Sequence, residues 1–395
     1  MVHVAERTTW IEPSASSVAT QRARELRAEG HDIIALTQGQ PDFDTPEFIK
    51  EAAAKALQKG ETKYSAASGI PDLKQAIVRK LERDNGLSYT DKQVVVSTGA
   101  KHTLYNLFQV LLGEGDEVIV PAPFWVSYPE QIQCAGGKMV VAETKEEDGF
   151  VLQPDAFREK ISPRTRFLVL NSPGNPTGGV YDQNDLAALA EICLEHSIGT
   201  ISDEIYEMLL YEGRTHFSIA QVSPEMKQQT IVVNGLSKAY AMTGWRLGYM
   251  AGNEEVAAAV SRLQSQSTSN PTTFLQYGAI AALDCDQECV AAMVKEFDKR
   301  RKYMVERLNA ISGVNCSTPY GAFYVFPNVS SHYGKTIGGA RISDSFDLTS
   351  ALLEQEMVAA VPGKPFNSDA NIRLSYATSM EVIEEGLNRI ERFLA

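Results

Sequence analysis

Lys238 follows a β-branched run, Ile231-Val232-Val233, through a small-residue turn, Asn234-Gly235-Leu236-Ser237. A lysine at the edge of a buried sheet is desolvated, which lowers its pKa and frees an amine for Schiff-base chemistry. Ser237 beside it and Arg246 eight residues on offer a hydroxyl and a guanidinium to one phosphate. Taken alone, Lys238 reads as a solvated loop lysine. Asp203 changes that balance, because it ends another apolar run, Gly199-Thr200-Ile201-Ser202, where an unpaired carboxylate is costly. Tyr206, three residues on, brings a phenol to the same region, though a lone tyrosine there equally suits a core. The turn Ser97-Thr98-Gly99-Ala100-Lys101 joins a strand pattern to a helix pattern, so its backbone N–H groups can close on an anion. Asn171-Ser172-Pro173-Gly174-Asn175-Pro176-Thr177-Gly178 holds two Asn, two Pro and two Gly apiece in eight residues together with Ser and Thr, a rigid loop whose amides suit a ligand oxygen.

These groups need a scaffold that brings strand ends together. Val94-Val95-Val96, Glu117-Val118-Ile119-Val120, Phe167-Leu168-Val169-Leu170, Gly199 to Ser202 and Ile231 to Val233 each end in polar, Gly or Pro residues. Runs this short and apolar suit strands buried on both faces and separated by covering helices. The pattern predicts an α/β fold: a large domain, 41–284, whose mostly parallel sheet is covered by helices. Open sheets of this kind bind ligands beyond the carboxyl ends of their strands, where the candidate residues cluster. An amphipathic stretch, Val18 to Glu29, precedes the apolar Ile33 to Leu36. Helical patterns at Glu296 to Leu308 and Glu381 to Phe393 flank a strand-like Gly321 to Phe326. Residues 1–40 and 285–395 are therefore expected to form a smaller α+β domain from both termini. No repeat or low-complexity linker interrupts the chain.

Composition excludes more than it identifies. The 395 residues are 44% hydrophobic and 22% charged, which is globular rather than disordered. Lys and Arg number 37 against 50 Asp and Glu, a formal net charge of −13 that disfavours nucleic acid and anionic membrane as partners. Cys134, Cys193, Cys285, Cys289 and Cys316 contain no C-x-x-C pair, so neither a disulfide scaffold nor a metal site is expected. Cys285 and Cys289, at i and i+4, are spaced to share a helix face. Met1 to Trp10 hold no apolar core of signal-peptide length, and the expectation is a cytoplasmic protein.

A buried aspartate facing a protonated pyridine nitrogen is what a pyridoxal phosphate enzyme needs to keep its ring an electron sink. Ser-Lys-Ala-Tyr-Ala-Met-Thr-Gly-Trp-Arg-Leu-Gly, 237–248, resembles the signature of class I aminotransferases of the fold-type I pyridoxal phosphate superfamily. The Asn-Ser-Pro-Gly-Asn-Pro-Thr-Gly loop, Ser202 to Tyr206, Pro41 to Pro46, Tyr64, Trp125, Gly321 to Tyr324 and Arg373 fall in the family's order, so the likeness spans the chain. It implies that Lys238 forms the Schiff base with pyridoxal 5'-phosphate and later shuttles a proton. Asp203 would pair with the pyridine nitrogen, Asn175 and Tyr206 with the phenolic oxygen, and Trp125 would stack on the ring. Backbone at Ala100 and Lys101, with Ser237 and Arg246, would hold the phosphate. Tyr64 would reach the phosphate of the other subunit, implying a homodimer with shared active sites. Arg373 would grip the substrate α-carboxylate, with Asn175 and the backbone at Gly39.

Among such enzymes the chain most resembles bacterial aspartate aminotransferases of subgroup Ib. The resemblance implies a ping-pong exchange of the amine between L-aspartate and 2-oxoglutarate, with Lys101 and Ser14 holding the distal carboxylate. No arginine stands in Gln264 to Asn270, which offers only neutral groups. Glu12 departs from the basic residue of many relatives and disfavours prephenate as a larger dicarboxylate. Aminotransferases of aromatic or alanine specificity, carbon–sulfur β-lyases of the same fold and a cofactor-binding regulator stand as alternatives.

Overall fold

The computed structural model describes residues 2–395, apart from the side chains of Arg7, Ala15 and Ser16. Its centre is a seven-stranded sheet: β1 (Val94–Ser97), β2 (Glu117–Ala122), β3 (Lys138–Glu143), β4 (Thr165–Asn171), β5 (Gly199–Asp203), β6 (Thr230–Gly235) and β7 (Gly248–Ala251). The spatial order is β1-β7-β6-β5-β4-β2-β3. Only β7 runs antiparallel to its neighbours, β1 and β6. All other pairings are parallel. β1 and β6 are buried along their whole length, as near-continuous apolar runs between helix layers require.

Two strands were not visible in the pattern. β3 lies at the sheet edge, where two of its six residues are exposed, three are half-buried and the apolar run is diluted. β7 carries only Gly248, Tyr249, Met250 and Ala251 and is embedded in the signature segment. Its reversed direction matters for the site. Gly248 pairs with Ser97 and Gly235, so the start of β7 lies at the carboxyl edge of β1 and β6 and brings Arg246 there.

Beyond this sheet, Ile34–Ala35 pairs in parallel with Val358–Ala359, joining the two ends of the sequence. A three-stranded antiparallel sheet sets Ile372–Ser375 between Val361–Pro362 and Tyr324–Val325. From the longer strand-like stretch at Gly321 to Phe326, only Tyr324–Val325 pairs as a strand. The helix Met380–Leu394 buries Ile383, Leu387 and Ile390 against Ile34, Leu36 and Leu374, a stripe at helical spacing. Cys285 and Cys289 do not share a helix face. Cys285 caps the end of Thr273–Asp284, while Cys289 opens Glu288–Asn309, because Gln287 takes a left-handed φ of 68° between them. No helix among the described residues is long and apolar enough to cross a membrane.

Candidate active site

A cavity of about 660 Å³ opens at the carboxyl edge of the central sheet, between it and the segments that carry Thr37 to Gln40, Tyr324 and Arg373. Lys238, in the turn after β6, reaches into it and donates from Nζ to the Gly39 carbonyl at 2.5 Å. Burial, then the guanidinium groups of Arg373 and Arg246, push its ammonium down to about 8, against a smaller opposing pull from Asp203. An amine with that pKa is still mostly protonated at neutral pH, but its neutral, nucleophilic fraction is far larger than that of an ordinary lysine.

Asp203, the last residue of β5, is 5% exposed, and burial pushes its carboxyl up to about 6. Tyr128 Oη donates to Asp203 Oδ2 at 2.7 Å and opposes that shift. The Asn171 side chain, at the end of the neighbouring β4, donates to the Asp203 carbonyl at 3.0 Å and accepts from Asn175 N at 2.9 Å. The Asn171 side chain thus ties the rigid loop to the strand that carries the carboxylate. Tyr206 is buried, with its hydroxyl 2.9 Å from that of Tyr324, and burial raises it well above its ordinary range.

The second pole is anion-binding. Gly99, at φ +91°, precedes the helix Ala100–Leu111, whose first amides lie beyond the reach of any intrahelical acceptor. A Cβ on Gly99 would stand 2.4 Å from Arg246 Nη2, and one on Gly248 would stand 2.2 Å from the Ala100 nitrogen. Arg246, itself left-handed at φ 53°, donates to the Thr243 carbonyl at 2.9 Å. These two glycines let a guanidinium and a helix N-terminus converge, which is the geometry of a phosphate cradle. Ser237 lines the same cavity.

Arg373, in the middle of Ile372–Ser375, is 2% exposed. Its Nη1 donates to Asn175 Oδ1 and its Nη2 to the Thr37 carbonyl, each at 3.0 Å, and its carbon lies 4.4 Å from the Tyr324 ring centroid. Arg373 Nε is buried with no partner among the described residues, so one donor of the fork is left unspent. Lys101 Nζ sits 4.9 Å from the centroid of Trp125, and burial followed by the nearby Arg246 lowers its pKa. Ser14, the residue before Ala15–Ala28, also lines the cavity.

The structure therefore gathers Lys238, Asp203, Tyr206, Ala100, Lys101, Trp125, Asn175, Ser237, Arg246, Gly39, Arg373 and Ser14 around one space. Tyr64 is not among them; it is 90% exposed. Glu12 lies off the cavity and lines a separate groove with Glu130. Sequence reasoning missed Tyr128 and Thr37, and quoted Tyr324 in a motif without seeing its contact with Tyr206. Tyr128 lies 75 residues from Asp203, and a contact of that separation leaves no local signal.

The model of the family described as aminotransferase class I and II matches residues 31–390. An aspartate aminotransferase of Geobacillus stearothermophilus is 48% identical over 99% of this chain and 98% of its own. An aspartate/prephenate aminotransferase of Cereibacter sphaeroides is 47% identical over 100% and 99%. The crystal structure of the Rhizobium meliloti aspartate aminotransferase superposes with a TM-score of 0.97 at 41% identity, covering 100% of this chain and 99% of that one. The Thermus thermophilus aspartate aminotransferase with maleate superposes at 0.93 and 45%, covering both chains fully. With its sheet order, its strand-end lysine and its full-length likeness to these proteins, the chain belongs to the class I and II aminotransferase family.

Proposed function

We propose that this protein transfers the amino group of L-aspartate to 2-oxoglutarate, giving oxaloacetate and L-glutamate, with pyridoxal 5'-phosphate as cofactor. The observation that carries the proposal is the meeting of Lys238, Asp203, the Gly99–Arg246 cradle and the free Arg373 Nε in one cavity. The residues fit that cofactor: a phosphate would lie between Arg246, Ser237 and the first amides of Ala100–Leu111, a protonated pyridine nitrogen against Asp203, and a carbonyl within reach of Lys238. Once bound, the ring withdraws electrons from substrate Cα and so makes its proton removable.

The chain's own residues supply the rest. Asp203, kept from water and steered by Tyr128, holds a negative charge at one fixed point. Tyr206 and Asn175 stand ready for the phenolic oxygen. Trp125 walls the cavity on the side of Lys101. Lys238 Nζ, neutral above about pH 8, accepts the Cα proton and returns it. Arg373 orients the substrate through its α-carboxylate, with Gly39 beside it. Lys101 and Ser14 face the distal carboxylate. The full-length relatives named aspartate aminotransferase support that substrate.

Prephenate is a weaker reading. Its support is a relative of aspartate/prephenate specificity. Against it, Glu12 and Glu130 approach each other in the groove behind Ser14; burial first, and the Glu12 charge in addition, raise the Glu130 carboxyl, against an opposing hydrogen bond from the Glu12 backbone. Carboxylates here offer an extra anion no partner.

On the same reading the chain divides into 41–284 and a unit of 1–40 with 285–395, supported by the Ile34–Val358 pairing. The exposed Tyr64 then serves the phosphate of a second subunit in a homodimer of the cytoplasm. Protein supplied with pyridoxal phosphate, aspartate and 2-oxoglutarate should form oxaloacetate. Lys238→Ala should reduce this by several orders of magnitude. Wild-type protein that turns over alanine or phenylalanine but yields no oxaloacetate would overturn the substrate assignment. Pyruvate and ammonia released without an oxo-acid acceptor would point to a β-lyase.

A further inference from the structure

The helix Ala15–Ala28 turns a polar face toward the cavity. Ser17, Gln21 and Arg24, spaced for one side of a helix, line it, while Val18, Ala19 and Arg22 line a separate groove on the other side. Its apolar Ala23 and Leu26 pack elsewhere, against Ile33, Ala35 and Ala359, so the polar face is not needed for that packing. The polar stripe is thus directed at whatever fills the cavity.

The three arginines of this helix are held differently. Arg22 pairs with Glu25 at 3.5 Å, and Arg27 donates to the Ile33 carbonyl at 2.7 Å. Arg24 makes no hydrogen bond or ion pair among the described residues, although it lines the cavity. Among the described residues, the cavity wall carries Arg24, Lys101, Lys238, Arg246 and Arg373 against a single carboxylate, Asp203. Under the proposed function four of these five cations have a duty, and Arg24 has none.

Charge balance gives it one. A phosphate ester brings about two negative charges, and a dicarboxylate substrate brings two more. Lys238 reacts as a neutral amine, and Asp203 is matched by a protonated ring nitrogen. Arg246, Arg373 and Lys101 then leave one negative charge, which the substrate's own ammonium matches only until it gives up its proton to react. Lys101 is also an imperfect partner, since burial and the adjacent Arg246 both disfavour its charged form. A guanidinium stays charged under such conditions and offers a planar fork to a carboxylate.

We propose that Arg24 is a second cation for the distal carboxylate of the substrate, acting with Lys101 to select dicarboxylates over neutral amino acids. This rests on the aspartate transaminase reading. It makes the helix Ala15–Ala28 a specificity element, with Arg24 one turn beyond Gln21 on the wall that the substrate side chain meets.

The test compares wild type, Arg24→Leu and Arg24→Lys, each loaded with pyridoxal phosphate. It measures kcat/KM for aspartate and alanine, and the dissociation constants of succinate and butyrate by absorbance titration. Arg24→Leu should lower the aspartate-to-alanine ratio of kcat/KM about tenfold or more, the scale of one charge-assisted hydrogen bond. Succinate should weaken relative to butyrate by a similar factor, and Arg24→Lys should recover much of both. An unchanged ratio and unchanged succinate affinity in Arg24→Leu would overturn the role of Arg24 while leaving the transaminase reading intact. Equal losses for succinate and butyrate would also overturn it, because they would mark a general effect on the cavity. A wild-type enzyme with no preference for aspartate would instead remove the reading on which the inference rests.

Discussion

Tyr128 donates its phenolic hydrogen to Asp203 Oδ2 across 2.7 Å, with both side chains almost wholly buried. Burial drives the Asp203 carboxyl up to about 6, and this hydrogen bond is the largest influence holding it down. Tyr128→Phe removes the donor and leaves the burial, so the carboxyl should rise further. The acid limb of the kcat/KM profile should move to higher pH. Turnover at pH 7 should fall about tenfold, as expected for a lost hydrogen bond to a charged group. An acid limb that stays in place would show that Asp203 does not set it.

The same burial makes Asp203 a burden to the protein without its cofactor. A carboxyl whose folded pKa is raised contributes stability that is complete below the unfolded value, about 4. That stability is lost as pH rises through about 6. Asp203→Asn should therefore melt higher than wild type at pH 8 when both lack cofactor, yet gain little at pH 4. It should also lose most activity. Thermal scans at the two pH values check the sign; a lower melting point at pH 8 would refute the argument.

The carboxylate and the lysine were legible because one ends a short apolar run and the other follows such a run through a small-residue turn, and these runs become strands wherever both faces are covered. The Asn171–Gly178 loop was legible for a similar reason: its Pro and Gly content leaves few conformations. Arg246 was named, but the route that brings it to the site was not. It depends on β7 running against its neighbours, and four residues with two small ones carry no strand signal. Tyr128 and Tyr324 were illegible because they act through contacts across the fold, on Asp203 and Tyr206. Arg24 was masked twice over, since an arginine on an amphipathic helix reads as a solvated face until the cavity beneath it is seen.

Behind the site, Lys80 and Glu207 form an ion pair with both side chains buried. Burial pushes the Glu207 carboxyl up, but Lys80 and the nearby His216 outweigh it and hold it below its ordinary range. Asn85 donates to Glu207 at 2.9 Å and Asn234, at the end of β6, donates at 2.7 Å. Lys80→Met leaves that carboxylate buried without its cation, which should cost about 3–5 kcal/mol. Adding Glu207→Gln, which removes the charge, should restore part of the loss. Urea unfolding of the two variants decides it, and a double variant no more stable than the single would sink the ion-pair account.

Arg373 and Lys101 should fail in different ways when removed. Asn175 and the Thr37 carbonyl fix the Arg373 guanidinium through its two terminal nitrogens, while its Nε remains unclaimed. The α-carboxylate it awaits is common to every amino acid. Arg373→Leu should therefore lower kcat/KM for aspartate and alanine alike, by about a hundredfold for a charge-assisted contact in a buried setting. Lys101 sits instead over Trp125 at the rim of the cavity, beside the N-terminal helix. Only a substrate with a second carboxylate offers the Lys101 ammonium an anionic partner there. Lys101→Ala should accordingly lower the aspartate value about tenfold or more relative to the alanine value. Because Lys101 also contributes a backbone amide to the helix start, which the substitution preserves, cofactor affinity provides the control. Parallel loss of aspartate and alanine turnover in Lys101→Ala, with weakened cofactor binding, would reassign that side chain from the substrate to the phosphate.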